Sequence, residues 1–291
     1  MLQLSKVQNG KPTMTSQLFH SQEHLLERNG CPIHYWLQGA THLPLVVFTH
    51  GAGADHQMFD AQILALEGEY RTLTWDVRGH GRSRPMGGFS LRGVVEDLMA
   101  ILDLEDIRQA VFVGQSMGGN VAQEIVRHHP ERFTALVLVD CACNSASLGW
   151  LEKLAVKITP AMLAMYPYNS LISQSARASA ISPEVQTYID KTMRVMSKSE
   201  IGTVLLETTN ILRDQPEYRI PKPFLLLRGD HDNAGAIARQ APAWAKREPN
   251  CTDYKIIPNA GHCSNQDNPE FFNTVLLEFL ARQMSSIQEN K

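Results

Sequence analysis

One ten-residue stretch constrains the fold of this chain more than any other. In VFVGQSMGGN, residues 111–120, an apolar run leads into small residues that surround Ser116. The apolar run predicts a buried strand. After it, apolar residues recur at helical spacing: Met117, Val121, Ala122, Ile125 and Val126. The chain must therefore turn sharply at Ser116, between Gly114 and Gly118, and pass from a strand directly into a helix.

Short apolar runs of strand length continue along the chain, and helical patterns lie between most of them. The turn Asn29-Gly30 predicts an opening hairpin of residues 24–28 and 33–37. Further strands are predicted at residues 45–49, 72–76, 110–113, 135–140, 224–228 and 254–257. This alternation predicts an α/β fold with a mostly parallel, eight-stranded sheet flanked by helices.

The alternation breaks between residues 145 and 215, where the sequence indicates several helices and no strand. This segment lies between two predicted strands, so we expect it to form an inserted helical cap over the strand ends. The α/β core would then consist of residues 21–144 and 216–291. Residues 1–20 contain neither a long apolar stretch nor a small-residue cleavage site, and we expect a loose N-terminal extension rather than a signal peptide.

Composition argues against several other classes of protein. The 291 residues carry a net charge of −3 with scattered basic residues, so we expect no nucleic-acid or membrane partner. No apolar run approaches the roughly 20 residues of a membrane-spanning helix. The spacing of the five cysteines fits neither a zinc site nor a disulfide framework, which favours a cytoplasmic location. No metal-ligand cluster or dinucleotide motif appears, so neither a metal nor a cofactor is expected. Homo-oligomerisation stays open.

Ser116 is the candidate nucleophile. A strand, Gly-x-Ser-x-Gly and a helix in this order expose a serine hydroxyl above the sheet edge and direct a helix N-terminus at it. The N–H of Met117 would then donate to a developing oxyanion. A second donor is expected from the glycine-rich loop after strand 45–49, at the N–H of Ala52. His50 and Gly51 of the same loop are candidate substrate contacts.

A serine hydroxyl needs a base, and His262 is the candidate among eleven histidines. It follows a predicted strand, at the sheet edge where open α/β proteins place their sites. Asp230 and Asp232 follow the preceding predicted strand, and either could orient the imidazole. Asp232 is favoured because the extra residues let its side chain turn back toward the sheet. Asp230 would then form a turn, and Asp140 is a third candidate.

These motifs resemble those of the α/β-hydrolase fold superfamily. HGAG, DVRGHGRS, GQSMGG, GDHD and AGH occur in the order and spacing of that family, across about residues 24–283. The resemblance implies that Asp232 is the acid, that Met117 and Ala52 supply the oxyanion donors, and that a helical cap follows the sixth strand. A serine at the sharp turn disfavours haloalkane dehalogenases and epoxide hydrolases, which use an aspartate there. We interpret DVRGHGRS itself as structural.

The resemblance and the candidate triad imply a serine hydrolase that cleaves a small acyl ester or lactone through an acyl-enzyme. Two alternatives stay open. One is a carbon–carbon bond hydrolase or a cofactor-free perhydrolase on the same scaffold, and the other is a hydrolase-fold ligand receptor with little turnover. The cap is expected to set substrate choice. Its candidate pocket residues, for each of which ordinary packing between helices is the alternative, are Met162, Met165, Tyr166, Tyr168, Leu171, Met193 and Met196.

Overall fold

The computed structural model describes residues 22–146, 165–235 and 237–289. The predicted N-terminal extension and the first part of the predicted cap, including Met162, lie outside these residues. Eight strands form one sheet. They are β1 (Gln22–Arg28), β2 (Cys31–Gln38), β3 (Leu45–Thr49), β4 (Arg71–Trp75), β5 (Ala110–Gln115), β6 (Phe133–Val139), β7 (Phe224–Gly229) and β8 (Cys251–Ile257).

The order of the strands in the sheet is β1-β2-β4-β3-β5-β6-β7-β8. Strand β2 pairs antiparallel with β1 and β4, and every other pairing is parallel. The predicted fold class, a mostly parallel eight-stranded sheet, is therefore confirmed. Strands β3 and β5 are buried throughout, as their continuous apolar runs require when helices cover both faces of a sheet. The carboxyl ends of the parallel strands meet at one edge of the sheet.

Helices connect the strands. Those of seven or more residues in the described parts of the chain are α1 (Asp60–Leu66), α2 (Leu91–Leu104), α3 (Met117–His128), α4 (Tyr168–Ser179), α5 (Pro183–Met193), α6 (Lys198–Asn210), α7 (Ile237–Arg247) and α8 (Pro269–Glu289), the last of which follows β8. A short helix, Ser264–Asp267, lies between β8 and α8. Ser90 caps α2 by accepting the N–H of Gly93 at 3.0 Å. Helices α4 to α6 follow one another between β6 and β7, in the segment for which the sequence predicts a cap; the boundaries of that cap stay a prediction. In the parts of the chain that the structure describes, no helix has the length and apolar character needed to cross a bilayer.

Strand ends differ from the predictions where burial or pairing continues beyond the apolar run. Strand β5 continues through Gly114 and Gln115, because both residues still pair with β6. Strand β6 begins two residues early, at the fully buried Phe133. Strand β8 begins at Cys251, three residues early. It is the last strand of the sheet and partly exposed, so an apolar pattern does not mark its start.

A buried ion pair holds the DVRGHGRS loop against α2. Arg78 donates from Nε and Nη2 to the two carboxylate oxygens of Asp97, at 2.6 Å each. The side chains are 2% and 0% exposed. In the same loop, the buried carboxylate of Asp76 accepts the N–H of His56 at 2.8 Å and of Arg82 at 2.7 Å. The motif thus fixes loop conformations, in agreement with its structural interpretation.

Replacing Asp97 by asparagine should destabilise the fold strongly, because the guanidinium of Arg78 would stay buried without its counter-charge. We expect a loss of about 3–5 kcal/mol in the free energy of unfolding, measured by urea denaturation. The control is Glu96→Gln, which breaks the pair of Arg92 and Glu96 on the exposed face of the same helix. Its effect should be far smaller. Equal shifts of the two denaturation midpoints would contradict this account.

Candidate active site

The turn at Ser116 explains the glycines around it. Ser116 lies between β5 and α3 with φ +50° and ψ −117°, a strained conformation for a residue with a side chain. Its N–H donates to the carbonyl of Val139 at 2.9 Å. A Cβ atom at Gly114 would lie 2.3 Å from the carbonyl oxygen of Gly118, and one at Gly118 would lie 2.0 Å from that of Thr49. The sharp turn therefore requires glycine at both positions.

Three side chains from three loops form a continuous chain of contacts beside this turn. The Nε2 atom of His262 lies 2.9 Å from the Oγ atom of Ser116. Its Nδ1 atom lies 3.1 Å from Oδ1 of Asp232, which is 1% exposed. The loops follow β5, β7 and β8, so the parallel sheet brings their ends together at its carboxyl edge. The structure thus places Ser116, His262 and Asp232 in the relative positions of a nucleophile, a base and an orienting acid.

Asp230 lies on the outside of the same loop as Asp232 and forms a turn. Its carboxylate accepts the N–H of Asn259 at 3.0 Å and that of Ala260 at 2.9 Å. These bonds connect the ends of β7 and β8. No hydrogen bond joins Asp230 to His262 among the described residues, so its position fits the turn-forming role expected for it.

Asp140 is buried and connects two of the loops that carry the contacts among Ser116, His262 and Asp232. Its Oδ1 accepts the N–H of Gly229 at 2.7 Å, and its Oδ2 lies 2.5 Å from the hydroxyl of Ser264. Gly229 ends the strand before Asp232, and Ser264 follows His262 by two residues. Burial, together with the negative charge of Asp232, raises the pKa of Asp140 to about 7. Asp140 therefore holds the two loops together without touching the imidazole.

The imidazole of His262 experiences opposing influences. Burial lowers its pKa, whereas the hydrogen bond to Asp232, the charge of Asp232 and the charge of Asp140 raise it. The balance is upward, so the pKa of His262 lies above the ordinary histidine value. In the tautomer that fits these contacts, Nδ1–H donates to Asp232 and Nε2 can accept a proton from Ser116.

An NMR titration of His262 should therefore give a pKa above about 6.5, the value of an unperturbed histidine. In an Asp232→Asn variant the negative charge is gone while burial remains, so the pKa should fall below that of the unmodified protein. Asp230→Asn is the matched control, because Asp230 belongs to the same loop and has no hydrogen bond to His262 in the structure. An unchanged pKa in Asp232→Asn would rule out the proposed electrostatic cause.

Backbone N–H groups of two loops border the contact chain. Met117 is the first residue of α3, so its N–H has no intrahelical acceptor. Ala52, in the loop after β3, lines the same cavity as Ser116. Among the described residues, neither N–H has an acceptor. A Cβ atom at Gly51 would lie 2.0 Å from Oε1 of Gln115, which explains the glycine there. The amide of Gln115 in turn donates to the carbonyl of His262 at 2.6 Å.

His50 is fully buried and braces the loops. Its Nδ1 contacts the carbonyl oxygen of Gly51 at 2.8 Å, and its Nε2 accepts the N–H of Val77 at 3.0 Å. Burial lowers the pKa of His50 to about 4, so the ring is neutral at pH 7. Both ring nitrogens are thus engaged with backbone, and neither His50 nor Gly51 is among the residues that line the cavity.

A cavity of about 310 Å³ opens at Ser116 and His262. Of the residues expected to form a pocket, Leu171, Met193 and Met196 line it. Met165 does not line it and is 87% exposed, and the hydroxyl of Tyr166 donates outward to Gln174 at 2.7 Å. The hydroxyl of Tyr168 donates to the carbonyl of Met196 at 2.7 Å, a contact between α4 and the turn that joins α5 to α6. Lining residues that the sequence analysis missed include Ser175, Ser179, Ile201, Val204, Leu205 and Asn233.

The helical spacing of Ile201, Val204 and Leu205 could have marked one face of α6 as apolar, but nothing in the sequence says what that face covers. The sequence analysis did not identify Asp267 as a residue of the site. Its carboxylate accepts the N–H of Gly261 at 2.8 Å, that of Ile181 at 2.9 Å and that of Ser182 at 2.9 Å. One side chain therefore ties the residue before His262 to the segment between α4 and α5.

Comparison with known proteins agrees with the fold and identifies the class of protein, an α/β-hydrolase. The sequence profile of the alpha/beta hydrolase fold matches residues 44–269, and the chain belongs to that family. It is 26% identical over 274 residues to 3-oxoadipate enol-lactonase 1 of Acinetobacter baylyi, with 88% of this chain and 96% of that protein covered. It is also 26% identical over 258 residues to the pimeloyl-[acyl-carrier protein] methyl ester esterase of Pectobacterium carotovorum, with 84% and 97% covered.

Among solved structures, a hydrolase from Pseudomonas aeruginosa superposes with a TM-score of 0.74. The two sequences are 26% identical, and the match covers 89% of this chain and 98% of the other. The similarity therefore extends over most of both chains. Family, fold and relatives make this protein an α/β-hydrolase enzyme.

Proposed function

We propose that the protein is a serine hydrolase that cleaves a small acyl ester or lactone through an acyl-enzyme on Ser116. The observation that carries the proposal is the contact chain at the cavity, with 2.9 Å between Ser116 and His262 and 3.1 Å between His262 and Asp232. The names of two relatives support the substrate class, since one is a lactonase and the other a methyl ester esterase.

In the first half of the reaction, His262 acts as a base. Its Nε2 takes the hydroxyl proton of Ser116 as Oγ attacks the carbonyl carbon of the substrate. The carbonyl oxygen becomes an oxyanion, to which we expect the N–H groups of Ala52 and Met117 to donate. The C–O bond to the alcohol then breaks, and the imidazolium returns the proton to the departing oxygen. The acyl group stays bound to Ser116 Oγ.

In the second half, water takes the place of the alcohol. His262 removes a proton from the water, whose oxygen attacks the acyl carbon, and the same proton returns to Ser116 Oγ as the acid is released. In a lactone, the alcohol and the acid belong to one molecule, so a hydroxy acid leaves. Asp232 keeps the imidazole in the required tautomer and stabilises its cationic form in both halves.

Ser116→Ala tests the nucleophile. Activity should be measured on p-nitrophenyl esters of increasing acyl length and on a panel of lactones. We expect kcat to fall by roughly 10⁴- to 10⁶-fold, since the only activated hydroxyl is removed. Ser175→Ala is the matched control, because Ser175 lines the same cavity and no hydrogen bond joins it to His262 among the described residues. A folded Ser116→Ala enzyme with full activity would exclude the acyl-enzyme route.

Asp232→Asn and Asp230→Asn together test the assignment of the acid. Asparagine at position 232 favours the wrong imidazole tautomer, an effect of about 10⁴-fold on kcat in serine proteases. Asparagine at position 230 removes one of the two oxygens that accept the N–H groups of Asn259 and Ala260, and Asp230 has no hydrogen bond to the imidazole in the structure, so this change should cost much less. Steady-state kinetics on the best ester provides the comparison. Similar losses in the two variants would contradict the role of Asp232.

A further inference from the structure

The cavity has an apolar wall built by three helices. Helix α6 presents Ile201, Val204 and Leu205, which share one face at a spacing of three and four residues. Met193, the last residue of α5, and Met196, in the turn between α5 and α6, border the cavity, and Leu171 borders it from α4. A Cβ atom at Gly53 would lie 2.6 Å from the side chain of Met193, so this wall packs closely against the loop that follows β3.

The polar side chains that line the cavity, among the residues that the structure describes, carry no permanent charge. Apart from Ser116 and His262, its polar side chains are those of Ser175, Ser179 and Asn233. Two of these side chains already bind backbone carbonyl groups. The hydroxyl of Ser179 donates to the carbonyl of Ser175 at 2.8 Å, and the side-chain amide of Asn233 donates to the carbonyl of His231 at 3.1 Å. Among the lining residues that the structure describes there is no lysine, arginine, aspartate or glutamate.

Nearby arginines face other partners. Arg84 donates from Nη2 to both carboxylate oxygens of Glu200, at 2.9 and 3.0 Å. Arg194, next to Met193, donates to Asp190 at 2.5 and 3.0 Å. Neither arginine lines the cavity. A carboxylate inside it would therefore lose its hydration without gaining a counter-ion, which is strongly unfavourable.

The acyl group must occupy this cavity. In the proposed reaction the alcohol of an ester departs after the first half, and that of a lactone stays on the acyl chain as a hydroxyl group. In both cases the acyl carbon is covalently attached to Ser116 until water releases it. The chain attached to that carbon must therefore fit the space that opens at Ser116. That space, about 310 Å³, is at the lower end of the roughly 300–1,000 Å³ of ligand pockets.

We propose that the cavity selects esters and lactones with an uncharged, short to medium hydrocarbon acyl chain and rejects acyl chains that end in a carboxylate. This inference rests on the proposed function, because it concerns the acyl group held by Ser116. It goes further in naming a chemical class, the neutral acyl groups, and in assigning the selection to the wall formed by α4, α5 and α6.

Three substrates with one leaving group test the inference. They are p-nitrophenyl hexanoate, the mono-p-nitrophenyl ester of adipic acid, which adds a terminal carboxylate, and methyl p-nitrophenyl adipate, in which that carboxylate is masked. Each rate is divided by that of spontaneous hydrolysis. We expect kcat/KM for the carboxylate substrate to be lower than for its methyl ester by about 100-fold or more. The methyl ester controls for length and polarity.

The outcomes separate the two proposals. If the carboxylate substrate and its methyl ester are cleaved at similar kcat/KM and both reactions require Ser116, the serine hydrolase proposal holds and the selection inference is wrong. If none of the three is cleaved in a Ser116-dependent reaction, the proposed function fails and the inference fails with it.

A change of charge in the wall tests where the selection arises. Leu205 is partly exposed, so an arginine can reach from this position to the cavity while keeping contact with water. Leu205→Arg should raise the ratio of kcat/KM for the carboxylate substrate over its methyl ester by about 10-fold, through a new ion pair. The matched control Leu205→Gln adds polarity without charge and should leave the ratio nearly unchanged. If a folded, active Leu205→Arg enzyme showed an unchanged ratio, the wall would not be the source of the selection. The three-substrate comparison on the unmodified enzyme does not depend on either variant.

Discussion

The close approach of the first turn of α3 to the end of β3 is the contact on which the rest of the site depends. It brings Gly118 against the carbonyl of Thr49, at a distance that leaves no room for a side chain. Because β3 and β5 are neighbours in the sheet, this approach forces the chain to turn within one residue, and that residue is Ser116. The same contact directs the N-terminus of α3 and the loop at Ala52 toward one cavity.

Around this turn, single carboxylates connect parts of the chain that are distant in sequence. Asp140 links the end of β7 to the loop after β8, and Asp267 links that loop to the segment between α4 and α5. A further link joins helix α5 to the loop after β3, since the hydroxyl of Tyr188 donates to Asp55 at 2.8 Å. The walls of the cavity and the side chains at its base are therefore fixed relative to one another by buried or partly buried hydrogen bonds.

The sequence predicts the sheet and the position of Ser116 well, because both follow from local patterns: apolar runs, glycines and helical spacing. It favours Asp232 as the acid but leaves Asp230 and Asp140 as other candidates, since Asp230 and Asp232 differ only in which way a turn directs their side chains. The residues that form the wall of the cavity are harder still to predict from the sequence. Met165 and Val204 are both apolar residues in helical segments, yet one is exposed and the other lines the cavity, a difference set by packing between helices. Asp267 accepts three N–H groups, one from the loop before His262 and two from the segment between α4 and α5. No local pattern in the sequence marks such a role.

The backbone conformation at Ser116 has a consequence for any attempt to raise the thermal stability of this protein. A residue with a side chain at φ +50° and ψ −117° is disfavoured by about 1–3 kcal/mol, and glycine would adopt the same conformation with little strain. Selection for thermal stability alone would therefore replace the one hydroxyl at the centre of the site. Under the function proposed above, folding and chemistry make opposite demands on position 116, and the serine there meets the demand of chemistry.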